Sequence, residues 1–184
     1  MNTDLHKLTT KELGRLFPIV ISEPQPEWPE LFAREKRVIR ELLGSKSARR
    51  IAHVGSTAVP GLVAKPAIDI LVTIPAGAAV KEKIILTMTA NGYEHMQAQA
   101  GHIMVVKGYT PEGFKGQAYH VHLGPADQKE LSDMRRFRDV LRSDAAVAGD
   151  YAALKKRLAV RHRYDREAYT EAKTAFIHQA LAMA

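Results

Sequence analysis

Cysteine is absent from the 184-residue sequence. Without thiols the chain can form no disulfide bond, build no thiolate zinc site and use no cysteine nucleophile. Any metal ion must therefore be held by His, Asp or Glu side chains.

Long apolar runs are also missing. No uninterrupted apolar stretch approaches the roughly 20 residues that a membrane-spanning helix needs. The first seven residues include an early acid, Asp4, and lack the apolar segment of a secretory signal. The sequence therefore predicts a cytoplasmic protein without a membrane partner.

Acidic residues are outnumbered by basic ones. Twenty-seven Lys and Arg face twenty Asp and Glu, which gives a formal net charge of +7. This excess favours an anionic partner such as a nucleotide, a coenzyme or a nucleic acid. Nucleic acid ranks lowest, because no motif of interleaved aromatic and basic residues accompanies the charge. Many basic residues lie in the last third among acids, so a solvated helical face is an equal alternative there.

Length and composition indicate one folded domain. Hydrophobic residues make up 46% and charged residues 26%, which is ordinary for a globular protein. Several β-prone runs come first and a helical segment follows from Asp127. This order predicts an α+β fold, in which a mixed sheet is covered by packed helices and followed by a C-terminal helical segment.

The predicted elements come from hydrophobic periodicity and from Pro and Gly positions. Strands are predicted at 19–22, 51–54, 67–74, 93–95, 103–107 and 118–123. Helices are predicted from Trp28 to a stop at Gly44, over 78–90, and from Asp127 onward, with a hairpin loop over 109–116. Asp127 with Glu130 resembles a capping box, and Asp165 is placed to cap the last helix.

A strand runs directly into Gly55-Ser56-Thr57. Glycine allows close backbone approach, and hydroxyls with loop amides can bind anionic oxygens, so this loop is a candidate phosphate-binding site. Lys65 and Lys107, near strand ends, are candidate phosphate contacts. The alternatives are an ordinary turn and solvated lysines.

Asp69 lies within the apolar run 67–74. A carboxylate in such a strand loses solvation unless it meets a cation, a metal ion or several hydrogen-bond donors, and a buried salt bridge is the structural alternative. Alternation puts Asp69 and Leu71 on one strand face. Since residue 71 is not an acid, a conventional two-metal carboxylate site cannot be completed from this strand.

His120 and His122 also share one face of their strand. Two imidazoles in this spacing can bind one metal ion, contact phosphate when protonated, or transfer a proton.

The segment from His53 to Ile70, HVGSTAVPGLVAKPAIDI, resembles the signature of the GrpB family, and the resemblance extends over residues 18–180. It implies residues 1–17 as an N-terminal extension and 18–184 as one domain with a nucleotidyltransferase-like fold. In that fold Gly55 and Ser56 match the loop that holds a triphosphate, and Asp69 matches the first metal-binding acid. Leu71 departs from the wider pattern. The family is also similar to a domain fused to dephospho-CoA kinase in some bacteria.

The resemblance implies metal-dependent transfer of a nucleotidyl group from a nucleoside triphosphate to an unidentified acceptor. Asp69, His120 and His122 are then the catalytic and metal-binding residues, with magnesium or manganese favoured over zinc. The phosphates would lie on Gly55, Ser56, Thr57, Lys65 and Lys107. The alternative is a non-catalytic module that binds a nucleotide or coenzyme, or docks on a partner enzyme.

Overall fold

The computed structural model describes residues 7–96 and 102–183. Its helices are α1 (Thr10–Leu16), α2 (Trp28–Ser47), α3 (Ala78–Thr89), α4 (Lys129–Ser143), α5 (Ala145–Arg161), α6 (Arg166–Glu171) and α7 (Thr174–Ala182). Its strands are β1 (Arg50–Val54), β2 (Ala67–Thr73), β3 (Glu94–Met96), β4 (Ile103–Thr110) and β5 (Gly113–Gly124). A short 3₁₀ turn, Ser56–Ala58, follows β1.

The five strands form one sheet in the order β1-β2-β5-β4-β3. β2 and β5 run parallel, whereas the other neighbouring pairs are antiparallel. The sheet is therefore mixed, and the predicted α+β class is confirmed. β2 has a strand on each side, as its continuous apolar run indicates.

The two faces of the sheet carry different residues of β2. Ile68, Ile70 and Val72 belong to a buried cluster that includes residues of α2 and α3. Leu71 packs on the opposite face with Val54 and with Leu131 of α4. Because side chains alternate along a strand, Asp69 shares the second face, beneath the C-terminal helices.

Strand register brings the candidate residues together. Asp69 is paired with Val54 of β1 on one side and with His120 of β5 on the other. Since Gly55 directly follows Val54, the Gly-Ser-Thr loop begins beside Asp69. Leu71 is paired with His122, so both histidines lie on the face that carries Asp69.

The strand predicted at 19–22 is wrong. This segment makes an isolated bridge between Ser22 and Ala64. The amide of Ile19 instead donates to the carbonyl of Arg163, 2.7 Å away, and its side chain is buried with Leu158 and Tyr169. Its apolar residues therefore cover helices rather than form part of the sheet.

Several boundaries and one cap differ from those predicted. The hairpin is tighter, since β4 reaches Thr110 and β5 begins at Gly113. Helix α2 extends to Ser47, although Gly44 has a non-helical backbone conformation (φ 71°, ψ 160°) and marks a kink. The capping box predicted at Asp127 is not formed, because Gln128 is the N-cap of α4 and makes no side-chain capping bond.

The predicted cap at Asp165 is confirmed: its carboxylate accepts a 2.9 Å hydrogen bond from the Ala168 amide at the start of α6. The segment that this cap begins is divided into two helices, α6 and α7, rather than one.

Part of the predicted N-terminal extension is packed on the remainder. Phe17 is 2% exposed and contacts the rings of Tyr109 and Phe114. Arg166 donates a 3.0 Å hydrogen bond to the Phe17 carbonyl. The boundary between residues 17 and 18 stays a prediction, as does the cytoplasmic location. Within residues 7–96 and 102–183, no helix is long and apolar enough to cross a membrane.

Candidate functional site

A cleft of about 360 Å³ lies between the second face of the sheet and the C-terminal helices. Gly55, Ser56 and Asp69 line its sheet side. The described residues around it include five basic side chains and one acid: Lys65, Arg138, Lys155, Arg166 and Lys173, against Asp69. Such an excess of positive charge in a concave site favours an anionic ligand.

The Gly-Ser-Thr loop passes very close to Asp69. Gly55 has φ 69°, a conformation that favours glycine. A Cβ atom at this position would lie 2.1 Å from Oδ2 of Asp69 and 2.9 Å from its Cβ. Glycine therefore lets the loop approach the carboxylate.

Lys155 of α5 reaches the loop from the opposite side of the cleft. Its residue exposure is only 2%, and its ammonium donates to Oγ of Ser56 at 2.9 Å and to the Val63 carbonyl. Burial, with the nearby charge of Lys173, lowers the pKa of Lys155 to about 7. A bound anion would favour the charged ammonium and raise this pKa.

Two further lysines converge over the ring of Tyr169. The ammonium of Lys65 lies 5.5 Å from the ring centroid and that of Lys173 lies 4.4 Å from it. Burial, followed by the charges of Arg166 and Lys173, lowers the pKa of Lys65 to about 7. Burial also lowers the pKa of Lys173 to about 8. The two cations are thus held near each other in a poorly solvated place.

Asp69, His120 and Tyr109 form a chain of hydrogen bonds. Oδ1 of Asp69 lies 2.8 Å from Nδ1 of His120, and Nε2 of His120 lies 2.6 Å from the Tyr109 hydroxyl. Burial opposes ionisation of Asp69, but the hydrogen bond from His120 and the charges of His120, His122 and Lys65 lower its pKa to about 2. An ionised carboxylate only accepts, so Nδ1 carries a proton and, in the neutral ring, Nε2 accepts from Tyr109.

His122 belongs to a different contact network. Its Nδ1 lies 3.2 Å from Nε2 of His102. Burial lowers the pKa of His122 to about 4, so this ring is neutral near pH 7 and provides no positive charge for a phosphate.

Asp69, His120 and His122, predicted as metal ligands, lie on neighbouring strands of one sheet face, and their role in metal binding stays a prediction. Among the described residues, no group of three or more His, Asp or Glu side chains is arranged to hold a metal ion. The physical reason is that both ring nitrogens of His120 are bonded within the protein, while His122 pairs with His102. Leu71, buried at 5%, occupies the place of a second acid.

Two predicted phosphate contacts are placed differently from the others. Thr57 lines the cleft, but its buried hydroxyl lies 3.0 Å from Nε2 of His53 and donates to the Ala67 carbonyl. Lys107 is not brought to the cleft. It lies on the opposite face of the sheet, where it donates to both carboxylate oxygens of Glu35, at 2.9 and 3.2 Å. A phosphate role fits neither side chain.

Sequence reasoning did not assign Lys155, Lys173 or Tyr109 to this site, although Lys155 is one of the basic residues of the last third for which an anion-binding surface was an alternative. A signal was present for the two lysines, since Lys155 follows Tyr151 by one helical turn and Lys173 likewise follows Tyr169. Lys155 therefore lies on the same side of α5 as Tyr151, whereas Lys173 lies between α6 and α7 as the N-cap residue of α7. No comparable local signal marks Tyr109, because its partner His120 lies on the neighbouring strand.

A family model described as GrpB protein matches residues 18–183. A UPF0157 protein of Pseudomonas aeruginosa is 38% identical over 168 residues, which cover 90% of this chain and 67% of that protein. The crystal structure of the conserved protein GrpB from Enterococcus faecalis has a TM-score of 0.74 and 32% identity, covering 89% of this chain and 96% of that one. A dephospho-CoA kinase of Mycolicibacterium paratuberculosis is 30% identical, over 95% of this chain and 48% of that protein.

Proposed function

The chain belongs to the GrpB family, and from this premise we propose that its cleft binds the phosphates of a nucleoside triphosphate or a related phosphorylated ligand. The observation that carries the proposal is the set of three lysines, Lys65, Lys155 and Lys173, which line one cleft and have lowered pKa values; Lys155 also donates to Ser56. Burying uncompensated cations is unfavourable, and an anion that binds all three would offset that unfavourable term.

The negative charge that the ligand must carry follows from the number of cations around the cleft. Arg138 and Arg166 add two further positive charges to the cleft, and Asp69 is the acid among its described lining residues. A polyphosphate carries enough negative charge to neutralise this set, whereas a single phosphate does not. The loop at Gly55 and Ser56 is where the family resemblance expects a triphosphate.

The divalent metal that the resemblance implies does not fit the donors among the described residues of the cleft. Asp69 is the carboxylate among the described residues that line the cleft, one of its oxygens is bonded to His120, and several cations surround it. We therefore assign neutralisation of the phosphates to the lysines and arginines, and we derive no step through a metal ion.

Binding is tested by calorimetry and thermal unfolding with inorganic tripolyphosphate, the four common nucleoside triphosphates and coenzyme A, each with and without magnesium. A ligand at about a hundred times its dissociation constant stabilises the fold by about 2.7 kcal/mol, or roughly 5 to 10 °C. The test variant is Lys155→Met. The control is Lys156→Met, which removes a neighbouring exposed lysine whose ammonium lies 3.4 Å from Glu23.

We expect at least one polyphosphate to bind the wild-type protein and Lys156→Met with equal affinity. Lys155→Met should bind it at least about ten-fold more weakly, which lowers the stabilisation at the same ligand concentration by about 1.4 kcal/mol. Far-ultraviolet circular dichroism checks that Lys155→Met is folded. If none of these ligands binds, or if both variants bind as the wild type does, the proposed phosphate site is wrong.

The 2.8 Å contact between Asp69 and His120 favours a second candidate function, nucleotidyl transfer to an acceptor hydroxyl. The acceptor would replace the Tyr109 hydroxyl at Nε2 of His120 and give its proton to that nitrogen. Its oxygen would then bond to the α-phosphorus, while the bond from the α-phosphorus to the bridging oxygen breaks and pyrophosphate leaves. Asp69 would stabilise the imidazolium that forms.

Transfer is tested by pyrophosphate release from each triphosphate in the presence of a small-metabolite extract. We expect His120→Ala to lose release by at least about a hundred-fold, within the range of general-base catalysis, while it still binds tripolyphosphate. Unchanged release in His120→Ala would exclude this base. Binding without any release would leave a nucleotide-binding or accessory role, in which the dephospho-CoA kinase relative is the natural comparison.

A further inference from the structure

A second cavity of about 360 Å³ adjoins the cleft and differs from it in chemistry. Lys65, Ala67 and Arg166 line both spaces, so the two are neighbours. The rest of the second cavity is formed largely by apolar and flat groups: Pro18, Val20, Pro66, Tyr109, Phe114 and Ala118. A ligand that spans both spaces would have an anionic part and an apolar part.

The mouth of this cavity exposes apolar side chains. Phe114 and Val20 are each 50% exposed. Phe114 is held on its protein side by edge or tilted contacts with Phe17 and Tyr109, at centroid distances of 5.0 and 5.1 Å. Its ring is therefore fixed in orientation while half of its surface remains uncovered, which is an arrangement suited to stacking by a planar group.

The side-chain amide of Gln117 also lines the cavity. The amide nitrogen of Gln117 donates to the carbonyls of Pro66 and Ala118, at 2.8 and 2.9 Å. Because both partners are acceptors, this end of the amide must be the NH₂ group. Gln117 therefore has its side-chain oxygen to offer a ligand, and that oxygen suits an amino or ring N–H donor.

We infer that this cavity receives the nucleobase of the ligand whose phosphates occupy the cleft. The inference rests on the proposed phosphate-binding function. Lys65 and Arg166, at the shared boundary, would contact the phosphates nearest the nucleoside, while Phe114 stacks on the base. A flat ring with a hydrogen-bond donor fits the aromatic wall and the Gln117 oxygen together, which an aliphatic chain would not.

The test compares the affinities of inorganic tripolyphosphate and of the four nucleoside triphosphates, measured by calorimetry with wild-type protein, Phe114→Ala and Phe114→Leu. Tyr164→Ala is the matched control, because Tyr164 is a similarly exposed aromatic residue (54%) that lines a separate depression. Phe114→Leu keeps an apolar side chain for packing and removes only the aromatic face. An effect that is seen in Phe114→Ala but not in Phe114→Leu would therefore come from lost packing.

We expect at least one nucleoside triphosphate to bind the wild type about ten-fold more tightly than tripolyphosphate, as base stacking on an aromatic ring typically provides. Both Phe114 variants should lose that advantage and keep the tripolyphosphate affinity, whereas Tyr164→Ala should keep both. If tripolyphosphate does not bind the wild-type protein, the phosphate site itself is wrong. If tripolyphosphate binds but no nucleoside triphosphate binds more tightly, the base subsite alone is wrong. It is also wrong if the Phe114 variants still bind the nucleotide more tightly than tripolyphosphate, or if they weaken the binding of both ligands equally.

Discussion

A Cβ atom at position 55 would lie 2.1 Å from Oδ2 of Asp69, so the loop can reach the carboxylate because residue 55 is glycine. This close approach brings together the loop after β1 and the acid of β2. It arises from strand register, since Val54 is paired with Asp69.

Gly55→Ala should therefore destabilise the protein in two ways. A non-glycine residue at φ 69° is strained by roughly 1 to 3 kcal/mol, and the collision with Asp69 adds roughly as much again through overpacking. Gly61→Ala is the control, because Gly61 has φ 75° but no heavy atom within 4 Å of its added Cβ. Urea unfolding measures both variants. Equal losses would show that Asp69 readily moves away.

The Lys107–Glu35 pair leads to a prediction for the opposite face of the sheet. Glu35 is 4% exposed and also accepts a hydrogen bond from Tyr93, so Lys107→Met would leave a buried carboxylate with less compensation. We expect a loss of roughly 3 kcal/mol in urea unfolding. Tripolyphosphate affinity should not change, in contrast with Lys155→Met. If Lys107→Met weakened tripolyphosphate binding while its free energy of unfolding stayed that of the wild type, Lys107 would be a phosphate contact.

Local sequence patterns were sufficient for β2 and for its acid. The apolar run around Asp69 is continuous over strand length, and alternation alone puts Asp69 and Leu71 on one face. Periodicity also grouped His120 with His122. Pattern could not show that these histidines have different partners, because Tyr109 and His102 reach them from the neighbouring strand β4 and from the residue before it.

The cationic side of the cleft could not be predicted for a related reason. Lys155 lies in a helix rich in charged residues, and its spacing from Tyr151 shows a shared helix side but not that the lysine is only 2% exposed or what it contacts. Its burial depends on how α5 packs over the Gly-Ser-Thr loop, 99 residues earlier in the chain. For the segment from Ile19 to Ser22, the local pattern predicted a strand that is not formed, since its β-prone side chains pack on helices rather than join the sheet.

The lysines should make stability depend on pH. The pKa of Lys155 is lowered from 10.5 to about 7 in the folded protein, so between these values the unfolded chain binds more protons than the folded one. Stability should therefore rise with pH from about 7 toward 10, by at most about 1.4 kcal/mol per pH unit for one such group. Lys155→Met should show a smaller slope in urea unfolding at pH 7, 8 and 9. Equal slopes would mean that Lys155 keeps an ordinary pKa.

The same titration predicts how ligand affinity changes. Phosphates favour the charged ammonium groups, so binding at pH 8 to 9 should take up protons and weaken as the pH rises. Calorimetry of tripolyphosphate in two buffers of different ionisation enthalpy measures that uptake. Affinity that does not change between pH 7 and 9 would contradict the lowered pKa values of Lys65 and Lys155.

The Asp69→Asn variant distinguishes a role of Asp69 in ligand binding from a role in nucleotidyl transfer. The substitution keeps the shape of the side chain and an oxygen that can accept from Nδ1 of His120, but it removes the negative charge of the cleft. In a solvated environment, the repulsion between two like charges about 4 Å apart is about 1 kcal/mol. Asp69→Asn should therefore bind tripolyphosphate roughly five-fold more tightly than the wild type does. Asp150→Asn, on an exposed part of α5, should leave binding unchanged.

The measurement is made in EDTA and repeated with magnesium, together with the pyrophosphate assay. If transfer occurs, Asp69→Asn should lose it despite tighter binding, because a neutral side chain stabilises the imidazolium of His120 poorly. Weaker binding in EDTA would mean that the carboxylate supports the anion through its contacts in the protein. Weaker binding only with magnesium would mean that Asp69 holds a metal ion that arrives with the phosphates. Either result would contradict neutralisation of the ligand by the lysines and arginines without Asp69 or a metal ion.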